Sequence, residues 1–67
     1  IHINRISRHN LRQARRKKGL TQREAAKLVG VSLITWSSWE QGSRTPKLAH
    51  AKKVADLLGC SIETLFT

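Results

Sequence analysis

The chain has 67 residues, and 13 lysines and arginines against 4 acidic residues give it a formal net charge of +9. This length allows one domain that buries only about 60% of its unfolded surface, so we expect a compact helical core. The charge favours a polyanionic partner over a neutral ligand. The apolar runs are too short for a transmembrane segment or a signal-peptide core, so we expect a cytoplasmic protein without membrane attachment.

Taken in chain order, the periodicity of apolar residues predicts five helices and no strands. Residues 1–6 are expected to form a flexible N-terminal arm, and residues 7–67 a single domain. The first three helices are predicted at about 7–18, 22–29 and 33–41. Helix 4 is expected to begin at Pro46 or Lys47 and to end before Gly59, and a last turn follows at about 62–66.

Residues 21–40 predict two short helices that cross steeply. Thr21 and Ser32 are good N-caps, and Gly30 stands where a helix that ends in the left-handed conformation needs no Cβ. Because the next N-cap follows two residues after Gly30, only a tight turn separates the helices. Ala26, one turn before Gly30, supplies the small side chain that lets two backbones approach. This is the layout of a helix-turn-helix.

The predicted core consists of apolar residues that recur at helical spacing. Trp36 and Trp39 are three residues apart, so they share the inward face of helix 3. The core is expected to contain Leu11, Ala26, Val29, Val31, Trp36, Trp39, Leu48, Val54, Leu58 and Phe66. Cys60, the one cysteine, is expected to fill space in the core rather than to act as a nucleophile.

From about Leu11 to Phe66 the chain resembles the phage-repressor and Cro-type helix-turn-helix family, also called the XRE family. The resemblance is carried by Leu11, Arg15 and Ala26 together with five short stretches in order, namely 18–22, 30–32, 39–40, 44–46 and 57–61. It implies a compact five-helix, all-α repressor-like fold. It also implies a sequence-specific transcriptional regulator of bacterial or phage type, expected to be a repressor, that binds double-stranded DNA and reads the major groove with helix 3.

Such domains usually read two half-sites about one helical turn apart, so the resemblance further implies a palindromic operator and a homodimer, at least on DNA. Helix 5, with Leu65 and Phe66, is the expected apolar surface for the second subunit. A monomer that dimerises only on DNA is equally open.

With both tryptophans inward, the outward face of helix 3 is left with small polar and aliphatic side chains. The predicted base-reading residues are Ser32, Leu33, Ile34, Ser37 and Ser38. Adjacent exposed aliphatic residues are costly unless an apolar group meets them, and a thymine methyl would do so. Alternatively, Leu33 or Ile34 packs against helix 2 or a second subunit. Many relatives carry amides at these positions, so here we expect specificity from methyl contacts, serine hydroxyls and DNA shape.

The cations are unevenly distributed along the chain. Nine of the 13 lie between Arg5 and Lys27, whereas residues 28–43 contain one charged side chain, Glu40. This division suits phosphate contacts from the flanks and base contacts from a neutral helix. The predicted phosphate-contacting residues are Gln22, Arg23, Arg44, Thr45, Lys47 and Arg15. The resemblance gives Arg15 a second role, as the structural partner of Glu40. The alternative for the run 15–18 is a solvated basic face.

No arrangement of residues suggests an enzyme. The three histidines and Cys60 lack metal-ligand spacing, and the chain has neither a nucleophile elbow nor a glycine-rich phosphate loop. We therefore expect no catalytic site, no metal and no cofactor. The alternatives are other uses of the fold: an antitoxin, or a protein-interaction or assembly domain that buries Leu33 and Ile34 in a partner. The high positive charge speaks against the assembly domain.

Overall fold

The computed structural model describes residues 8–66, which form five helices and contain no strand. The helices are α1 (His9–Lys17), α2 (Gln22–Val29), α3 (Leu33–Gln41), α4 (Leu48–Leu58) and α5 (Ile62–Phe66). The predicted all-α fold is confirmed over this range. The predicted arm, residues 1–6, lies outside the described residues.

The start and end of α2 and α3 are set by local signals. The Thr21 hydroxyl accepts from the Glu24 N–H at 3.0 Å, and the Glu24 carboxylate accepts from the Thr21 N–H at 2.8 Å. These bonds form a capping box, and they lower the pKa of Glu24 below its ordinary value. The Ser32 hydroxyl caps α3 by accepting from the Thr35 N–H at 3.1 Å. Between the two helices, Gly30 adopts φ 90°, a conformation that would strain a residue with a Cβ.

Two helix starts differ from those predicted. The first residue of α1 is His9, because Arg8 holds non-helical dihedrals of φ −88° and ψ 76°. The first residue of α4 is Leu48, because Lys47 has the extended backbone of an N-cap residue, with φ −66° and ψ 160°. The loop between α3 and α4 therefore includes Pro46 and Lys47.

The core lies where α2 packs against α3 and α4, with α1 and α5 closing it. Trp36 and Trp39 are both buried, and their ring centroids are 5.7 Å apart. Val31, Cys60 and Phe66 are half-buried against this core. The buried hydrophobic residues are Leu11, Ala14, Ala25, Ala26, Val29, Trp36, Trp39, Ala51, Val54, Leu58 and Leu65.

Two expectations about packing are wrong. Leu48, a predicted core residue, is 64% exposed, since it is the first residue of α4 and the side chain of Pro46 just before it is buried instead. Leu65 was expected on a dimer surface, but it is 1% exposed because α5 packs its side chain into the core. No helix among residues 8–66 is both long and apolar enough to cross a membrane.

Candidate DNA-binding surface

Glu40, in the last turn of α3, is a fully buried carboxylate that joins three helices. Its Oε2 accepts from Arg15 Nε at 2.6 Å and from Trp36 Nε1 at 2.5 Å. Its Oε1 accepts from Gln22 Nε2 at 3.0 Å and Arg15 Nη2 at 3.3 Å, and Arg12 Nε lies 3.5 Å away. The carboxylate therefore fixes the end of α3 against α1 and the start of α2.

Opposing effects act on the pKa of Glu40. Burial raises the pKa, but the hydrogen bonds from Arg15, Trp36 and Gln22, together with the charge of Arg15, more than offset burial. The net result is a pKa below the ordinary value of a glutamate. The group is therefore ionised at neutral pH, and it neutralises the buried guanidinium of Arg15.

Arg15 has the structural role that was expected of it. The pair with Glu40 is present, and Arg15 Nη1 also donates to the Leu20 carbonyl at 2.8 Å. Arg15 is 8% exposed, and each of its three guanidinium nitrogens is engaged inside the protein. Three of its five guanidinium N–H groups are thus bonded inside the protein. A phosphate contact at Arg15 stays a prediction.

Gln22 stands at the first position of α2 and is half-buried. Its amide nitrogen donates to Glu40, a bond that the sequence did not reveal because it joins residues 18 positions apart. The positive end of the α2 dipole favours an anion nearby. A phosphate contact at Gln22 stays a prediction.

The predicted base-reading residues occupy the start and one face of α3. Ile34 is 83% exposed and Ser32 is exposed, whereas Leu33, Ser37 and Ser38 are half-buried. Ser37 and Ser38 lie three and four positions after Ile34, so they share its side of the helix. This surface is neutral and is led by one uncovered aliphatic side chain.

Local hydrogen bonds engage the hydroxyls of this face. Ser32 Oγ donates to Thr35 Oγ1 at 2.9 Å, and Ser38 Oγ donates to the Thr35 carbonyl at 2.8 Å. Ser37 Oγ accepts from Gln41 Nε2 at 3.1 Å, which leaves its own proton available. Gln41 is exposed one turn beyond Ser37 and was missed by the sequence reasoning, although its amide is the group that reads adenine elsewhere.

The remaining predicted phosphate contacts flank α3. Arg23 is exposed on α2, and Arg44, Thr45 and Lys47 are exposed on the loop that follows α3. The loop leaves the helix through Gly42, at φ 82°, and the N–H groups of Ser43 and Arg44 donate to the Ser38 carbonyl. The neutral helix α3 is therefore followed in the chain by a loop with two cations and a hydroxyl group, and α2 before it carries the exposed Arg23.

Arg8 was not identified from the sequence, yet its side chain bonds both the end of α3 and this loop. Its guanidinium donates to the carbonyls of Trp39 and Arg44 and to the hydroxyl of Thr45. Nothing in the basic segment 5–27 distinguishes it, because these partners lie more than 30 positions away. Over residues 8–66, no group of three histidine, cysteine or acidic side chains could hold a metal ion.

Comparison with known proteins places this arrangement in a family. A family model described as helix-turn-helix matches residues 11–65. An uncharacterized HTH-type transcriptional regulator from Archaeoglobus fulgidus is 42% identical over 59 residues, which cover 88% of this chain and 84% of the relative.

Solved structures of other proteins have a similar fold. The restriction-modification controller protein C.AhdI from Aeromonas hydrophila has a TM-score of 0.74 and 33% identity, covering 85% of this chain and 86% of that one. The DNA-binding domain of the P22 c2 repressor has a TM-score of 0.78 and 28% identity, covering 94% and 84%. The resemblance drawn from the sequence is thus confirmed, and the chain belongs to the helix-turn-helix family of the phage-repressor type.

Proposed function

We propose that this chain is a transcriptional regulator, acting as a repressor, that binds double-stranded DNA sequence-specifically and reads the major groove with α3. The observation that carries the proposal is the division of α3 into two sides. One side is fixed to α1 and α2 through buried Glu40, and the other presents a neutral face with Ile34 uncovered. The names of the relatives, an HTH-type transcriptional regulator and a repressor's DNA-binding domain, support the same function.

Affinity comes from the flanks of α3. Arg23, Arg44 and Lys47 are exposed cations that neutralise phosphates, while Thr45 and Gln22 contribute neutral donors. Each phosphate that a cation neutralises releases counterions, so each such residue contributes about one unit to the slope of log K against log salt. These contacts position α3 without selecting a sequence.

Specificity comes from Ile34 and its neighbours. An isoleucine that is 83% exposed leaves apolar surface in water, and contact with the methyl group of a thymine removes that surface from water. Ser37, one turn further on, accepts from Gln41, and we expect its own hydroxyl proton to donate to an acceptor on a base edge. The helix therefore selects A·T pairs by shape and methyl contact.

The regulator acts as a homodimer on a palindromic operator. A single α3 covers only a few base pairs, and a two-fold pair of domains places two such helices in successive major grooves. The dimer contact does not use Leu65, which is inside the core.

This function is tested by selecting bound duplexes from a random pool. The selected duplex and a scrambled one are then titrated between about 50 and 200 mM salt. We expect a palindromic site bound at least about a thousandfold more tightly than the scramble. Ile34→Ala should relax preference at thymine. The matched control is Leu28→Ala, which removes an aliphatic side chain exposed on α2. Equal binding to every duplex, abolished by salt, would rule out sequence reading and direct attention to a protein partner at Leu33 and Ile34.

A further inference from the structure

The side chain of Arg8 makes three hydrogen bonds, one to the last turns of α3 and two to the loop that follows, and one ring contact with α5. Its Nη1 donates to the carbonyls of Trp39 at 2.9 Å and Arg44 at 2.7 Å, and its Nη2 donates to the Thr45 hydroxyl at 2.9 Å. Its guanidinium carbon lies 5.5 Å from the centre of the Phe66 ring on α5. One side chain thus joins the end of α3, the loop and α5.

The main chain of Arg8 anchors the same junction. Its N–H donates to the Glu40 carbonyl at 2.9 Å, in the last turn of α3, and its own carbonyl accepts from the Arg12 N–H at 3.2 Å as α1 begins. The guanidinium is partly desolvated, which lowers the pKa of Arg8 from its ordinary value while leaving it charged at neutral pH. Arg8 is therefore a fixed group and not a freely solvated cation.

The end of α3 lacks a cation of its own. The last turn of α3 contains no basic residue and does contain the negatively charged Glu40, so its C-terminal carbonyls lack the cation that normally stabilises a helix end. Arg8 supplies that cation from another element. Its Nη1 reaches carbonyls on both sides of the turn at Gly42, while Nη2 reaches the Thr45 hydroxyl. A point charge on a flexible stem does not hold these three acceptors equally well.

We propose that Arg8 is a positioning residue for DNA binding, which holds the loop of Arg44 and Thr45 in its binding conformation without touching DNA. The inference rests on the proposed function of that loop as a phosphate-contacting segment. Arg8 holds the backbone at Arg44 and the side chain at Thr45, so the exposed guanidinium of Arg44 projects from a fixed point. Without Arg8 the loop is ordered only when DNA binds.

The test compares Arg8→Gln, Arg8→Lys and Arg44→Gln on the duplex selected by the wild-type protein. In Arg8→Gln, DNA binding must order a loop that Arg8 already orders in the wild type. The entropy cost of fixing about one residue's backbone corresponds to about tenfold weaker binding. The salt slope should stay at the wild-type value, because the phosphate contacts still form. Arg44→Gln should instead lower the slope by about one unit. Arg8→Lys should resemble Arg8→Gln, since its ammonium cannot reproduce the fork.

A second readout in the free protein separates this inference from the proposed function. Amide ¹⁵N relaxation at Arg44 and Thr45 should show increased mobility in Arg8→Gln and Arg8→Lys. Arg16→Gln removes an exposed charge from α1 and serves as the matched control. If wild type prefers no sequence, the proposed function fails, and the relaxation data alone decide whether Arg8 orders the loop. Circular dichroism confirms that the compared variants are folded at the temperature used.

Three results would overturn the inference. A slope reduced by about one unit in Arg8→Gln, with recovery in Arg8→Lys, would make Arg8 a direct phosphate contact. A lower melting temperature with unchanged affinity and unchanged relaxation would leave it a purely structural residue. If Arg8→Gln does not fold, Arg8→Lys is used in its place. Wild-type affinity together with wild-type loop mobility in Arg8→Lys would also contradict the proposal.

Discussion

The two sides of α3 differ in how their polar groups are satisfied. On the inward side, Glu40 receives hydrogen bonds from Arg15, Trp36 and Gln22, which lie on all three of the first helices. On the outward side, the serine hydroxyls bond only within their own helix, and Ile34 is uncovered. One nine-residue helix therefore separates stability from recognition, and substitutions on its two sides should have separable effects.

Glu40→Gln should have the largest effect, on the inward side. The amide leaves the buried guanidinium of Arg15 without its counter-charge, so we expect a loss of about 3–5 kcal/mol in the free energy of unfolding. Urea denaturation measures it. Asp56→Asn removes an exposed acidic charge from α4 and should change stability by less than about 0.5 kcal/mol. Equal small losses in both variants would contradict the role assigned to Glu40.

Lowering the pH should progressively reduce the stabilisation that Glu40 provides on the inward side of α3. The pKa of folded Glu40 is lower than that of an unfolded glutamate, because hydrogen bonds and the charge of Arg15 outweigh burial. Its contribution is therefore complete above the unfolded pKa, about 4.3, and is lost as the pH falls through the lower folded value. Melting temperatures between about pH 6 and pH 2 should fall less in Glu40→Gln than in wild type. If the melting temperatures of the two proteins fall in parallel with pH, protonation of Glu40 does not contribute to acid unfolding.

Ser32→Ala should have the next largest effect on stability, at the N-cap of α3. The serine caps α3 and also begins its outward face, so removing the hydroxyl should cost about 1 kcal/mol of stability. Ser32→Thr retains the capping oxygen and should recover most of that loss. Thermal unfolding of both variants measures the cap. A threonine variant as unstable as the alanine variant would mean that the capping bond is not the cause.

Ile34→Ala should have the smallest effect on stability. An 83% exposed side chain contributes little to folding, so the free energy of unfolding should change by less than about 0.5 kcal/mol. A loss of more than about 2 kcal/mol would show that Ile34 packs inside the protein, as a large-to-small substitution in a core does.

The sequence predicted those parts of the molecule whose signals are local. The α2–α3 unit has its caps and its turn glycine within a few residues of each other, and its boundaries are confirmed. The face of α3 followed from the spacing of Trp36 and Trp39. Leu48 fits the same helical spacing, but it stands in the first turn of α4, and periodicity does not show where the core ends.

The contacts of Arg8 and Gln22 could not be predicted in this way. Their side-chain hydrogen bonds join residues between 18 and 37 positions apart, and the ring contact of Arg8 joins it to the more distant Phe66. Hydrophobic periodicity and capping preferences carry no information about such pairs. The pair of Arg15 and Glu40 is equally remote in sequence, and it was anticipated only because the family resemblance implied it. That resemblance did not reveal how deeply Arg15 is buried.

The most direct test of sequence reading by α3 combines a protein change with a single-methyl change in the DNA. Wild type and Ile34→Ala are titrated on the selected duplex with thymine and with deoxyuridine, one position at a time. At the contacted thymine, wild type should lose roughly fourfold in affinity, about the value of one buried methyl group, while Ile34→Ala should bind both duplexes alike. Equal losses in both proteins at every thymine, or no loss in either, would contradict the assignment of Ile34 and α3 to the reading of DNA.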